Sequence, residues 1–287
     1  QDIADVSALV QDPAQRLVTL LGPGGVGKTR LAIAVAEHVE PAFPHGAALI
    51  SLAQLSQPDQ IADEVAAVLG VLSHPDRALT QSIINSLHGR RFLLILDNLE
   101  HLLGELTSLF VLDLLQHCPQ LTVLATSREP LRLSLEPRHV TPPLSTVASD
   151  RDTPLTELAA LQLFVARAGS VRRGFACSPE DAGTIAEICQ RLDGLPLAIE
   201  LAAAWMRMLS PSGLLARLEQ RLPLLMSGHS DQPVRLQTMR AAIAWSYELL
   251  STEEAAGLRR LSVFRGGFTL EAAAHVLHGP KIVSPEI

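Results

Sequence analysis

The stretch Gly22-Pro-Gly-Gly-Val-Gly-Lys-Thr29 decides the fold. It matches the complete pattern Gly-x-x-x-x-Gly-Lys-Thr. The run Leu17–Leu21 before it is apolar and β-permissive, as a buried parallel strand should be. Apolar residues recur at helical spacing immediately after it, at Leu31, Ala34 and Val35. The sequence therefore predicts a strand, a glycine-rich loop and a helix in direct succession.

This arrangement of residues is typical of a loop that binds phosphates. Its glycines allow backbone N–H groups to point inward around a phosphate chain, and the N-terminus of the following helix adds its dipole. Lys28 would reach the β and γ phosphates, and the Thr29 hydroxyl would ligate Mg²⁺. The candidate nucleotide-binding residues are Gly22, Pro23, Gly24, Gly25, Val26, Gly27, Lys28, Thr29 and Arg30.

The same glycines also fit a dinucleotide-binding pattern, Gly-x-Gly-x-x-Gly, at Gly22, Gly24 and Gly27. That pattern requires an acidic residue for the ribose about 20 residues further on, at the end of the second strand. The expected second strand, 47–52, continues into Ala53 and Gln54 without an acid. A phosphate-binding P-loop is therefore favoured.

A carboxylate for Mg²⁺ follows the next apolar run. The segment 92–96 predicts a buried strand, and Asp97 comes directly after it, in the crevice where open α/β sheets bind ligands. Without a P-loop upstream, Asp97 would be interpreted as a strand-end or N-cap carboxylate. Hydrolysing enzymes often carry a second acid next to this aspartate, but here Asn98 follows and the next acid is Glu100. We therefore expect at most a slow Mg-dependent ATPase.

A further predicted strand, 121–125, ends in the polar segment Thr126-Ser-Arg128-Glu-Pro130. Arg128 could sense or stabilise a γ-phosphate, because a guanidinium offers a bidentate match to phosphate oxygens. In isolation such an arginine is more often a plain surface residue. Its position after another strand of the same sheet favours the phosphate role.

The charge balance argues against electrostatic binding to nucleic acid or to an anionic membrane by the whole chain. The 287 residues carry 23 basic and 30 acidic side chains, for a net charge of −7. Only two of the basic residues are lysines, Lys28 and Lys281. Genome composition explains most of this bias towards arginine. At Lys28, however, a slim ammonium would be required where a planar guanidinium would not fit.

No apolar run approaches the roughly 18 to 20 residues of a membrane helix, and the start of the chain lacks the basic region of a signal peptide. We therefore predict a cytoplasmic protein with no membrane partner. The three cysteines show no CxxC spacing, which favours buried reduced thiols over a metal site or a disulfide.

From residue 153 onward the pattern predicts helices only. Ser178-Pro-Glu-Asp181 is typical of a capped helix start. Gly194 fits a left-handed cap that ends one helix, and Pro196 fits the first turn of the next. The fold class expected is an α/β P-loop domain with a parallel sheet flanked by helices, followed by an all-α region.

The sequence resembles the STAND class of P-loop NTPases, in particular the NB-ARC-like nucleotide domains of large bacterial transcriptional regulators of the SARP and LuxR types. The motifs that carry the resemblance occur in family order: GPGGVGKTRLA, FLLILDNLEHL, LATSREPL, GLPLAIELAAA and the late block from AAIAWSYELL to FTLEAA. The resemblance implies three parts: a P-loop domain over 1–150, a helical lid over 151–237 and the start of a winged-helix domain over 238–287. It also implies a switch in which ADP holds the parts closed and ATP opens them for oligomerisation.

The resemblance also implies roles for single residues. Asp97 would serve the metal, Arg128 would act as the sensor arginine, and Pro196 would pack on the adenine. The family usually has a Val-Gly-Arg-Glu segment just before the point where this chain begins, and its winged-helix histidine has no clear counterpart. We therefore expect a fragment whose sensor and effector domains lie outside it, and which forms a homo-oligomer on activation.

Three functional classes remain open at this point. We favour a regulatory nucleotide switch over an ATPase with rapid turnover. A nucleic-acid-binding module is the third possibility, because residues 201–270 hold eight arginines against five acids. In the resembling family the winged helix packs against nucleotide. DNA binding is therefore expected only through domains outside this chain.

Overall fold

Buried apolar runs build a single parallel sheet in the computed structural model of the chain, which describes residues 2–72, 78–133, 136–147, 154–218, 251–264 and 268–278. The five strands of the sheet lie in the order β2-β3-β4-β1-β5, and every neighbouring pair is parallel. They are β1 Leu17–Leu21, β2 Ala47–Ser51, β3 Phe92–Asp97, β4 Leu121–Ser127 and β5 Arg138–Val140.

Helices cover both faces of the sheet and bury an apolar core on each. One core joins the β3 residues Leu94 and Leu96 to helices α3, α4 and α5. The other joins Leu93 and Ile95 to α1 and α2. Because successive side chains of a strand point to opposite faces, a strand buried on both faces has a continuous apolar sequence. The helices are α1 Asp2–Gln11, α2 Lys28–Val39, α3 Gln60–Leu69, α4 Leu79–Leu87 and α5 Glu105–His117.

The α/β P-loop fold expected from the sequence is confirmed, with shifts of one or two residues at the ends of β2, β3 and β4 and with one additional strand. Strand β4 continues to Ser127, so that Thr126 belongs to the sheet. Strand β5 was not expected, because Arg138–Val140 is only three residues long and lies at an edge where most of its side chains are exposed. Short edge strands lack the apolar pattern on which a prediction can be based.

A cluster of helices follows the sheet, as the sequence predicts. Helix α7 begins with a capping box, in which the Ser178 side chain accepts a hydrogen bond from the Asp181 backbone N–H. Two residues between α7 and α8, Asp193 and Gly194, have positive φ, where the sequence indicated only the glycine. Pro196 begins α8. The helices are α6 Ala159–Val171, α7 Pro179–Arg191, α8 Pro196–Ala204 and α9 Pro211–Leu218.

The chain divides into two compact units, 1–225 and 226–287. In the second unit, helices α10 Thr252–Leu261 and α11 Leu270–His278 pack together, and Arg260 Nη1 donates to the Leu277 backbone oxygen at 2.7 Å. The predicted boundary at Thr238 lies outside the described residues. The winged-helix domain therefore stays a prediction.

The three cysteines are free. Cys118 and Cys189 are buried as expected, whereas Cys177 is partly exposed because it lies in the loop just before the N-cap of α7. Among the described residues, no cluster of three or more His, Cys, Asp or Glu side chains could hold a metal ion.

None of the helices in the described ranges is both long and apolar enough to cross a membrane.

Candidate functional site

The glycine-rich loop joins the end of β1 to the start of α2 and has a conformation that only glycine adopts easily. Gly25 and Gly27 have φ angles of 80° and 102°. Side chains rarely tolerate this left-handed region, because a Cβ atom would approach the following carbonyl oxygen. Loops of this shape turn consecutive N–H groups toward one point and so favour an anion.

Lys28 lies at the start of α2, and its side chain folds back over the loop. The ammonium Nζ donates to the backbone oxygens of Gly22 at 2.8 Å and of Pro23 at 3.2 Å. Burial lowers the pKa of Lys28 below its ordinary value, and the charge of Arg128 acts in the same direction, whereas the carboxylates of Glu100 and Asp97 raise it. The Lys28 ammonium is thus held inside the loop by two backbone carbonyl oxygens.

Two threonines from different elements converge on the carboxylate of Asp97, which is buried at the end of β3. Thr29 Oγ1 donates to Asp97 Oδ1 at 2.7 Å, and Thr126 Oγ1 donates to the same oxygen at 2.6 Å. Strand β4 lies between β3 and β1, so it places Thr126 between the carboxylate and the loop. Thr29 and Asp97, assigned to Mg²⁺ from the sequence, are therefore direct neighbours.

Thr126 was not among the candidate site residues. The signal that could have identified it is a polar residue at the tip of an otherwise apolar strand. Its hydroxyl also accepts the backbone N–H of Asn98 at 2.9 Å, so it connects β4 to the turn that follows β3. This turn begins at Asn98, which has a φ of 72°.

Arg128 directly follows β4 and is paired with Glu100, an acid to which no binding role was assigned from the sequence. Its Nε donates to Glu100 Oε1 at 3.0 Å. The guanidinium also lies against the loop, since a Cβ atom built on Gly24 would be 3.2 Å from Arg128 Nη2. Arg128 thus reaches the phosphate loop, as the sequence indicated.

The start of α8 packs directly on the loop. The backbone N–H of Leu197 donates to the Gly25 oxygen at 3.2 Å, and a Cβ atom on Gly25 would lie 2.9 Å from Leu197 Cβ. Pro196 is close to Gly27, with its Cγ 3.8 Å from the position of a Cβ there. The helical region and the sheet domain therefore meet at the loop itself.

Arg30 points away from the loop and toward the helical region. Its Nη1 is 3.3 Å from Glu200 Oε1 on α8. The same oxygen accepts from Arg167 of α6, at 3.1 Å from Nε and 2.9 Å from Nη2. Arg30 was grouped with the loop from its place in the motif. Arg30 is the third residue of α2, and its side chain instead joins this helix to the helical region.

Comparison with known proteins agrees with this geometry. The NB-ARC domain profile matches residues 4–129. The chain is 41% identical to a protein of Mycobacterium tuberculosis named as an HTH-type transcriptional regulator, Rv0890c, over 93% of this chain and 29% of that protein. It therefore spans less than a third of that relative. It is also 40% identical to the protein Rv0894 of Mycobacterium tuberculosis, over 96% of this chain and 67% of the relative.

Among solved structures, Cdc6p from Pyrobaculum aerophilum shares the fold, with a TM-score of 0.52 and 16% identity over 97% of this chain and 84% of that one. This likeness extends to the fold alone. The loop, the aspartate at the end of β3, the domain match and the extent of the relatives together show that this chain belongs to the NB-ARC family of P-loop NTPases, nucleotide-binding modules found in a family of transcriptional regulators.

Proposed function

We propose that this chain is the regulatory switch of a signal-transducing transcriptional regulator, closed with ADP and open with ATP. The contact between α8 and the phosphate loop is the observation that carries this proposal. Leu197 hydrogen-bonds the Gly25 carbonyl, so whatever occupies the loop lies beside the helical region that we name the lid, 151–237. A change of ligand at the loop can therefore alter the position of the lid.

The residues of the loop fit a nucleoside di- or triphosphate. Backbone N–H groups of 22–29 and the Lys28 ammonium would hold the phosphates. Thr29 and Asp97 supply a hydroxyl and a carboxylate, the oxygen ligands that Mg²⁺ prefers. The ion would neutralise phosphate charge when bound. Arg128 would contact a γ-phosphate, and Pro196 would pack on the adenine.

The closed state would depend on the contacts that Gly25 and Gly27 of the loop make with the start of α8 in the lid. Exchange of ADP for ATP would release the lid and allow copies of the protein to associate. The sheet domain, 1–150, and the lid would work with a winged-helix domain over 238–287. Sensor and effector domains outside this chain would supply the signal and contact DNA. The protein would act in the cytoplasm.

The acidic residues around the site favour slow or negligible hydrolysis of ATP. The residue next to Asp97 is Asn98, which cannot activate water as a carboxylate does. Glu100 is the nearest other acid, and its Oε1 accepts a hydrogen bond from Arg128. An ATPase with rapid turnover, the alternative function, would require Glu100 to accept a proton from water through its second oxygen while Oε1 stays paired with Arg128.

The proposal is tested by identifying the nucleotide that the purified chain carries. A lid that is closed over a buried ligand releases it slowly, so denaturing the protein should release stoichiometric ADP, measurable by ion-exchange chromatography of the supernatant. ATP hydrolysis measured on the same preparation should be slow. Nucleotide-free protein that hydrolyses ATP many times per second would contradict the switch and support the ATPase.

A further inference from the structure

A partly buried ion pair beside the phosphate loop was not predicted from the sequence. It joins Arg128, the first residue after β4, to Glu100 in the turn after β3, with 3.0 Å between Nε and Oε1. The side chain of Glu100 is 5% exposed and that of Arg128 is 19% exposed. A pair that is shielded from water in this way has a defined geometry, whereas an exposed pair exchanges freely with solvent.

The pairing determines which edge of the guanidinium faces the loop. Because Nε is directed at Glu100, the two Nη atoms form a different edge of the guanidinium. Nη2 lies 3.2 Å from the position of a Cβ on Gly24, so this edge is against the loop backbone. A guanidinium binds phosphate oxygens through neighbouring N–H groups in a fixed plane, and its orientation therefore matters as much as its charge.

Glu100 can hold the guanidinium of Arg128 in place through one of its two carboxylate oxygens. Its second oxygen, Oε2, is buried and has no hydrogen-bond partner among the described residues, so Oε1 makes the hydrogen bond that the structure gives this carboxylate. The turn Leu99–His101 that carries it begins after the left-handed Asn98, whose backbone N–H is held by Thr126 of β4. The turn and the strand that bear the two charges are thus joined by a second contact.

We propose that Glu100 is a positioning residue that orients Arg128 toward a terminal phosphate and so gives the module its discrimination between tri- and diphosphate. The inference rests on the proposed nucleotide switch. Arg128 would touch the γ-phosphate, and Glu100 would act only through Arg128. Without Glu100 the guanidinium keeps its charge but loses the ion pair that directs Nε away from the loop, and the contact with the triphosphate weakens.

The test compares the affinities of Mg·ATP and Mg·ADP, measured by titration calorimetry on the chain after bound nucleotide has been removed. Glu100→Ala and Arg128→Ala should each weaken ATP binding about ten- to a hundredfold, the range for hydrogen bonds to charged groups. ADP binding should change by less than about threefold. Lys28 also feels the charge of Glu100. Because Lys28 would reach both the β and the γ phosphate, the ratio of the two affinities does not by itself isolate Arg128, and the double variant of Glu100 and Arg128 is also needed.

Two further variants separate orientation from other roles. Glu100→Gln keeps an oxygen that can accept from Arg128 Nε, so it should restore most of the ATP preference. The double variant should bind ATP no more weakly than Arg128→Ala alone, because residues that act as a unit are not additive. Glu129→Ala is the matched control, since Glu129 is 66% exposed and pairs with Arg132 at 3.9 Å. It should leave both affinities unchanged.

Several results would overturn the inference. Stronger ATP binding in Glu100→Ala would mean that Glu100 restrains Arg128. Additive losses in the double variant would mean that the two residues act separately. Equal losses of ADP and ATP would assign Glu100 a purely structural role.

The design also separates this inference from the proposed function. If Arg128→Ala lowers the ratio of ATP to ADP affinity while Glu100→Ala does not, the switch stands and only the role of Glu100 fails. If the wild-type chain binds neither nucleotide, the proposed switch is wrong. If Arg128→Ala leaves the ratio unchanged, the assignment of Arg128 to the γ-phosphate is wrong before the role of Glu100 is considered.

Discussion

At the scale of single residues, Lys28 shows how closely the loop surrounds its cation. The ammonium lies within hydrogen-bond distance of two carbonyl oxygens of its own loop, at 2.8 and 3.2 Å. A compact ammonium with three donors can meet both of them and still turn toward a phosphate. A guanidinium is wider, planar and fixed in its donor directions, so it cannot occupy the same space in the same way.

We therefore expect Lys28→Arg to abolish nucleotide retention although it preserves the charge. The purified variant should release little or no ADP on denaturation. Lys281→Arg is the matched control, because it is the same exchange at the only other lysine of the chain. If Lys28→Arg retained ADP and ATP as tightly as the wild type, the proposed fit between ammonium and loop would be wrong.

The residue scale also shows the limits of reasoning from sequence. Asp97 and Arg128 were placed at the phosphate loop from the apolar strands that precede them, and both lie there. The partner of Arg128 was not predicted, because the turn that brings Glu100 to it depends on the positive φ of Asn98. A backbone angle of that kind leaves no periodic pattern in the sequence.

At the scale of elements, the contact between the loop and α8 depends on the absence of a side chain at Gly25. A Cβ there would lie 2.9 Å from Leu197 Cβ. The carbonyl of the same glycine also accepts the N–H of Leu197 at 3.2 Å. The two elements come from opposite ends of the first unit, so neither local propensity nor the motif could predict how closely they approach.

Gly25→Ala should therefore separate α8 from the loop. We expect a loss of stability of about 1 to 2 kcal/mol from the left-handed backbone alone, together with faster release of ADP as the lid contact weakens. Release can be followed by displacement of bound nucleotide with excess unlabelled ADP, and stability by thermal unfolding.

The matched control is Gly183→Ala, the same change in the middle of α7. There a Cβ would meet nothing within 4 Å, so the helix should gain about 0.5 to 1 kcal/mol. ADP release should be unchanged. Slower release from Gly25→Ala than from the wild type would show that the contact does not hold the lid closed.

At the scale of the whole first unit, Glu200 joins three helices. Its Oε1 contacts Arg30 of α2 in the sheet domain and Arg167 of α6 in the lid. Arg30 is 72% exposed, so its share of the interaction is small in water and is screened by salt. The two contacts with Arg167 use neighbouring donors of one guanidinium, and both reach the same oxygen, Oε1.

Glu200→Gln should consequently loosen the closed state. We expect a loss of at most about 1 kcal/mol in stability, most of it from the contact with Arg167 inside the lid. The release of ADP should be slightly faster, because the contact with the exposed Arg30 is weak, and both effects should shrink at high salt. Glu187→Gln is the control, because Glu187 pairs with Arg191 one turn away within the same helix, α7. Equal release rates for the two variants would mean that charge pairing between the domains contributes nothing to closure.

The order of the strands has a consequence for how the chain folds as it is made. Strand β1, which leads into the phosphate loop, pairs only with β4 and β5 among the described strands, and its partner for Leu17 is Val123. About a hundred residues therefore separate the strand from its nearest partner. At a synthesis rate of 5 to 20 residues per second, β1 waits roughly 5 to 20 s on the ribosome without a neighbour. Strand β1 thus precedes the other four strands in the chain, yet it is among the last to be paired in the sheet.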